Sequence, residues 1–313
     1  MAAWKVLLTD GLEENGKAIF QAAAETVDKK GISAEELLQI VGEYDALVVR
    51  GRTKVTPAVF EAAKNLKAVG RAGVGVDNID LAAAKAHNVI VVNSPTATTI
   101  AVAELAMALM LAVVREIPRA DAGMKTGVWL KKEMEGGELW QKTLGVIGYG
   151  RIGAAVGARA AAFDMNVIAY DPDLPDEEIR KRGAEPVKLD ALYARADIIT
   201  VHVPLVATTK GMMNAGAFSK MKKGVIIIDA ARGGVIDEDA LLSALDSGHV
   251  AAAGLDVFNT EPPGDIALVK HPRVVCTPHI GAQTAEAQQR AADDIANEVL
   301  AALRGDALRW RVA

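Results

Sequence analysis

The feature that most constrains this chain is an alternation: short runs of consecutive apolar residues are separated by longer segments with apolar residues every third or fourth position. In the first hundred residues the runs are WKVLLTD, DALVVRG, LKAVGRAG and NVIVVNS, and the segments between them include SAEELLQIVGEY and TPAVFEAAKNLK. That spacing predicts helices, with Ser33 and Thr56 as N-caps. Apolar residues placed back to back predict strands covered on both faces, as in a parallel sheet between helices. A second series follows the apolar stretch TIAVAELAMALMLAVV, which predicts a long buried helix over 99–118 as the first crossing between two domains. Its strand runs are TLGVIG, NVIAYD, DIITVHVP, GVIIIDAA, AAAGLDVF and RVVCTPH, six strands about 25 residues apart. The last thirty residues read as one helix and a short tail. The fold class is therefore α/β: two Rossmann-like or flavodoxin-like domains, each built on a doubly wound parallel sheet.

Composition narrows the function. The chain has 313 residues, room for two ordinary domains, and a net charge of −5, without the basic excess that nucleic-acid binders carry. A single cysteine, Cys276, rules out an intramolecular disulfide and fits a cytoplasmic location. The start lacks the long apolar stretch and cleavage site of a signal peptide, and the longest apolar run is interrupted by Glu104 and short for a bilayer. No membrane, nucleic-acid or metal partner is expected.

Residues 145–153 read GVIGYGRIG and contain Gly148-x-Gly150-x-x-Gly153. Alone, such glycines describe any tight turn. Here they follow an apolar run and open a small-residue helical segment, the context in which a glycine turn cradles a dinucleotide pyrophosphate on a helix N-terminus. The next strand run ends in Asp171, an acid placed to accept from ribose hydroxyls and to repel a 2′-phosphate, which favours NAD over NADP. The segment GRAGVGVDN over 70–78 is also glycine-rich, but no helix opens within it and Asp77 would face a phosphate with the wrong charge; it reads as a loop over the active cleft.

Ligands of such sheets bind beyond the carboxyl ends of the strands. Three ionisable residues follow consecutive strand runs there: Arg232, Glu261 and His279. Each alone could be a surface or core residue; together they have complementary chemistry. Hydride transfer at a secondary alcohol needs a group to take the hydroxyl proton, and histidine titrates near neutrality. Glu261 can fix the tautomer of His279, and Arg232 can hold an α-carboxylate by two parallel hydrogen bonds. Of the other histidines, His202 in VHVP lies at a strand edge and reads as structural, and His87, His249 and His271 fall in helical or loop segments.

The stretches GRAGVGVDNIDLAAA, TLGVIGYGRIG, VHVPLVATTKGMMN, DAARGGVIDEDAL, GLDVFNTEPP and TPHIGAQT together resemble the D-isomer-specific 2-hydroxyacid dehydrogenase family over nearly the whole chain. The resemblance implies a substrate domain of residues 1–98 and 283–313, an NAD domain of 99–282, and an active site in the cleft between them. It implies Arg232, Glu261 and His279 as catalytic residues. The cofactor would meet Val74, Gly148, Gly150, Arg151, Ile152, Gly153, Asp171, His202, Val203, Pro204 and Thr208. It would also meet Ala230, Ala231, Arg232, Asp256, His279, Gly281 and Ala282, with Asp256 near the nicotinamide amide. Substrate contacts would be Arg50, Arg71, Gly73, Val74, Arg232 and His279, with Lys131 from a partner subunit of a homodimer formed through the NAD domain, the helix at 99–118 contributing.

The branch of the family that the chain most resembles oxidises 3-phospho-D-glycerate with NAD, for which Arg50, Arg71 and Lys131 supply cations; the position of Lys131 often holds arginine there. Longer members append a serine-binding regulatory domain, and the end of this chain soon after its last helix leads us to expect none. Glu261 argues against the formate dehydrogenase branch, which pairs the histidine with glutamine. Reduction of glyoxylate, hydroxypyruvate or another 2-keto acid is the alternative, and an NAD-sensing corepressor-like protein a remote one.

Overall fold

The computed structural model describes residues 4–313 and divides the chain into two compact units, residues up to Thr98 with Ala282–Ala313, and Thr99–Gly281. The first holds a five-stranded sheet of β1 (Trp4–Leu8), β2 (Ala24–Asp28), β3 (Ala46–Val49), β4 (Ala68–Arg71) and β5 (Ile90–Asn93), in the order β2-β1-β3-β4-β5. All pairings are parallel. The central strand β3 is buried along its whole length, as its unbroken ALVV requires. One face is covered by the helices Glu14–Gln21 and Ala285–Arg304, whose Ile295 and Val299 are fully buried. The other is covered by Ala34–Ile40, Pro57–Ala62 and Leu81–Ala86. Ser33 caps its helix by accepting from Glu36 N at 3.1 Å. Thr56 occupies the N-cap of the next but makes no side-chain bond there, where Pro57 begins the helix without an N–H to satisfy.

The second unit carries β6 (Thr143–Ile147), β7 (Asn166–Tyr170), β8 (Glu185–Pro186), β9 (Ile198–Val201), β10 (Val225–Asp229), β11 (Val250–Leu255) and β12 (Val274–Cys276). The order is β12-β11-β10-β9-β6-β7-β8, again all parallel. The direction of winding reverses between β6 and β9, so the crevice for a ligand lies at the carboxyl ends of those two strands. Helices Thr99–Val114 and Arg151–Ala161 pack on one face, where Ala103, Ala106 and Met110 are fully buried.

One detail differs from expectation and two go beyond it. The helix predicted over 99–118 stops at Val114. Glu116 turns left-handed at φ 50° and a second helix, Ile117–Lys125, starts with Pro118 in its first turn. A proline at that point cannot donate to the preceding turn, so it restarts a helix rather than extending one. The strands β2 and β8 carry no prediction from sequence. Both are edge strands with little burial, so their sequences, AETVD and EP, lack the two-faced apolar signature. The tail after Arg304 is not loose: Arg311 bridges Val92 antiparallel, and Val312 N donates to Val91 O at 2.7 Å. No helix among the described residues is long and apolar enough to cross a membrane.

Candidate cofactor and catalytic site

The glycine turn follows β6, and each glycine answers a different demand. Gly148 has φ +86°, and a Cβ there would lie 2.6 Å from the His202 carbonyl oxygen at the end of β9. At Gly153 a Cβ would overlap the Gly148 carbonyl, so the helix Arg151–Ala161 could not sit against the turn. At Gly150 a Cβ would meet nothing within 4 Å. A side chain is therefore excluded at two glycines by the protein itself, and at the third the open space is where phosphate would approach. Gly150 is also the N-cap of that helix, so no side chain competes for the first N–H groups of Arg151, Ile152 and Gly153. Asp171, just past β7, accepts from Tyr149 N at 2.8 Å and from Asp173 N at 3.0 Å, which fixes the acid against the turn. These residues fit a dinucleotide.

Tyr149 carries no signal in the sequence that would single it out. Its ring is fully buried, its hydroxyl donates to Arg182 O at 3.1 Å, and Arg182 Nη1 donates back to Tyr149 O at 3.0 Å. The turn is thus braced from behind as well as in front. Beyond β9, burial pushes the His202 imidazole down to about 4, and its Nε2 lies 2.9 Å from Thr200 Oγ1. It is a neutral, half-buried histidine. Val203 packs against the Gly148 backbone. The Pro204 carbonyl accepts from Thr209 Oγ1 at 2.5 Å, so Thr209, rather than the exposed Thr208, shapes that loop.

The ends of β10, β11 and β12 carry the ionisable set. After β10 come Ala230, Ala231 and Arg232, with Arg232 Nη1 donating to Ala231 O at 2.6 Å. His279 Nδ1 lies 2.7 Å from Glu261 Oε2. Glu261 Oε1 accepts from Phe258 N at 3.2 Å, which orients the carboxylate. A carboxylate at Nδ1 favours the tautomer with the proton on Nδ1, which leaves the Nε2 lone pair free on a partly exposed ring. His279 itself has left-handed backbone, φ 52°. It is held there by Asp256, which is buried and accepts from Thr277 Oγ1 at 2.6 Å, Ile280 N at 2.8 Å and Gly281 N at 2.8 Å. Asp256 is thereby tied on both sides of His279.

Arg50, Arg71, Gly73, Val74 and Ala282 belong to the other unit. Arg71 ends β4 beside Val49, so Arg50 and Arg71 stand on neighbouring strand ends. Arg50 Nη1 lies 3.8 Å from Glu13 Oε1. The loop 72–80 is tied down by Asn93 Nδ2, which donates to Val74 O at 2.6 Å, and by Asn78 Nδ2, which donates to Arg50 O at 3.1 Å. A Cβ on Gly73 would overlap the Arg71 guanidinium. Lys131 is exposed in the segment after the helix Ile117–Lys125.

Residues 107–281 match the family model described as D-isomer specific 2-hydroxyacid dehydrogenase, NAD binding domain. Curated relatives include the D-3-phosphoglycerate dehydrogenase of Methanocaldococcus jannaschii, 49% identical over 96% of this chain and 58% of that protein. Those of Bacillus subtilis and Homo sapiens are 46% and 43% identical over 57% of their lengths. The chain thus spans under three-fifths of the relatives it matches. Among solved structures, a protein from Thermus thermophilus is similar with TM-score 0.89 at 33% identity, covering 99% of this chain and all of that one. A glyoxylate reductase from Paecilomyes thermophila has TM-score 0.91 at 31% identity, covering 100% of this chain and 99% of that one. Matched by the family model over more than half its length, the chain belongs to the D-isomer-specific 2-hydroxyacid dehydrogenase family.

Proposed function

We propose that the chain oxidises 3-phospho-D-glycerate to 3-phosphohydroxypyruvate, with His279 as general base, Glu261 as its partner and Arg232 as the anchor of the substrate carboxylate. The observation that carries this reading is the 2.7 Å His279–Glu261 pair on the same strand edge as the glycine turn and Arg232. Arg232 takes the C1 carboxylate through its guanidinium fork. The C2 hydroxyl donates to His279 Nε2, which receives its proton as the C–H bond breaks. Bound nicotinamide supplies the acceptor for the hydride. The imidazolium that results is stabilised by the Glu261 carboxylate on Nδ1. In the reverse direction the same ring returns the proton to the carbonyl oxygen.

The substrate class follows from relatives that are named D-3-phosphoglycerate dehydrogenases in archaea, bacteria and animals. In this reading the first unit holds the substrate, with Arg50 and Arg71 and Lys131 of a partner subunit on its phosphate. The likeness to a glyoxylate reductase supports a second reading, an unphosphorylated 2-keto acid. Absorbance of NADH in the purified protein, with NAD or NADP and a panel of 3-phosphoglycerate, glyoxylate and hydroxypyruvate, separates them. No turnover of any 2-hydroxy or 2-keto acid defeats both. Loss of charge at Arg50 and Arg71 raises KM for the phosphorylated substrate alone; an equal effect on glyoxylate removes the phosphate site.

The same reading includes a cytoplasmic homodimer. Trp129 is 72% exposed, Met124 59% and Trp140 58%, large apolar side chains that a second copy would cover. Light scattering checks it, and a monomeric mass at micromolar concentration overturns it. Cell fractionation checks the location.

A further inference from the structure

Arg232 sits in a turn without regular structure, and the residue that fixes that turn is a buried acid three positions earlier. Asp229 ends β10 and is 2% exposed, next to a small cavity lined by Gly233, Ile236, Leu241 and Leu255 and, as its other charged residue, Glu238. A carboxyl group is costly in such surroundings unless its oxygens are used. They are used on the turn. Asp229 Oδ1 accepts from Ala231 N at 2.9 Å, and the carboxylate also accepts from Arg232 N. The Ala231 carbonyl then receives Arg232 Nη1 at 2.6 Å, so the peptide that Asp229 orients is the one on which the guanidinium rests. The main-chain oxygen of Asp229 accepts from Asp256 N at 2.8 Å, which locks the base of the turn to β11.

We propose that Asp229 is a positioning residue for Arg232, its side-chain oxygen holding the Ala231 and Arg232 amides and so setting where the guanidinium points. The proposal rests on the reading of Arg232 as the carboxylate anchor. It requires an acceptor at Oδ1, not a charge. Asparagine preserves that acceptor in the same shape. Leucine fills the space without it, and serine is too short to reach.

The experiment compares Asp229→Asn, Asp229→Leu and Asp229→Ser with Arg232→Lys, measuring kcat and KM for the 2-keto acid, the Kd for NADH, and melting temperature. Asp229→Asn is expected to stay within about threefold of wild type. Leucine or serine, whichever melts cooperatively, is expected to raise KM for the keto acid by about tenfold to a hundredfold, the size of loss a misplaced anchoring group causes, with NADH Kd unchanged. Near-wild-type KM in the leucine or serine variant, while Arg232→Lys is impaired, overturns the proposal. So does a loss that asparagine fails to rescue, or one that appears equally in NADH Kd, since either marks a general structural role. Wild-type behaviour of Arg232→Lys instead removes the reading of Arg232, and the two failures are told apart.

Discussion

His279 shows how much one side chain depends on residues that do no chemistry. Its left-handed backbone is uncommon for a residue with a Cβ, and the three bonds to Asp256 on both sides of it keep it there. Because asparagine tolerates that conformation better than alanine, His279→Asn is the cleaner deletion of the imidazole. We expect it and Arg232→Ala each to lower kcat/KM by about 10² to 10⁴, with NADH affinity nearly unchanged. Steady-state kinetics and fluorescence titration of NADH check this, and turnover like wild type in either variant takes that residue out of the mechanism. The pair His279 and Glu261 is legible in the sequence because both follow strand runs. The roles of Asp256 and Asp229 are not. Asp256 takes its donors from Thr277, Ile280 and Gly281, which only the pairing of β11 with β12 brings within reach. Asp229 reads in sequence as one more polar strand end.

At the level of elements, the strands that can be read are those with consecutive apolar residues, the edge strands β5 and β12 included, and the two missed, β2 and β8, are edge strands without such a run. The glycine turn is legible as a motif, yet the division of labour within it is not, because that depends on which neighbour each Cβ would strike. It yields a discriminating prediction. Gly150 has ordinary extended backbone, φ −67°, and faces open space, so Gly150→Ala is expected to fold with a melting temperature near wild type. Its methyl group nonetheless occupies the approach to the helix N-terminus, and the Kd for NADH is expected to rise at least tenfold, about 1.4 kcal/mol. Gly153→Ala is expected to do the opposite first: overlap with the Gly148 carbonyl drives helix and turn apart, costing about 1–3 kcal/mol of stability as overpacking does. Thermal melting and NADH titration of both variants check the pair. Equal melting temperatures, or unchanged NADH affinity in Gly150→Ala, would contradict this assignment.

Across the whole molecule, two groups in the 99–281 unit, the buried Asp229 and the half-buried His202, titrate with opposite effects on stability. Burial holds the His202 imidazole at about 4, below its value in an unfolded chain, so between about pH 6.5 and 4 the unfolded chain binds the extra proton and stability falls as pH falls. Burial pushes Asp229 up to about 7, with the nearby Asp256 carboxylate adding to the rise and Arg232 and the turn amides opposing it. There the folded chain holds the extra proton, so stability falls as pH rises from about 4 to 7 and stays lower above it. The two slopes have opposite signs over about pH 4 to 6.5, and in wild type they largely cancel. Asp229→Asn cannot ionise, so it leaves the His202 slope uncompensated. Its melting temperature, relative to wild type, is expected to climb from pH 4.5 to 7 and to stay higher at pH 8, by an amount equivalent to a few kcal/mol at most, since a tenfold change in proton affinity is worth about 1.4 kcal/mol. Carboxylates that do not interact with Asp229 contribute equally to both proteins and drop out of the difference, whereas the coupled Asp256 changes with it. A melting-temperature difference that stays flat from pH 4.5 to 8 means that Asp229 is ionised throughout, and the burial argument for it fails.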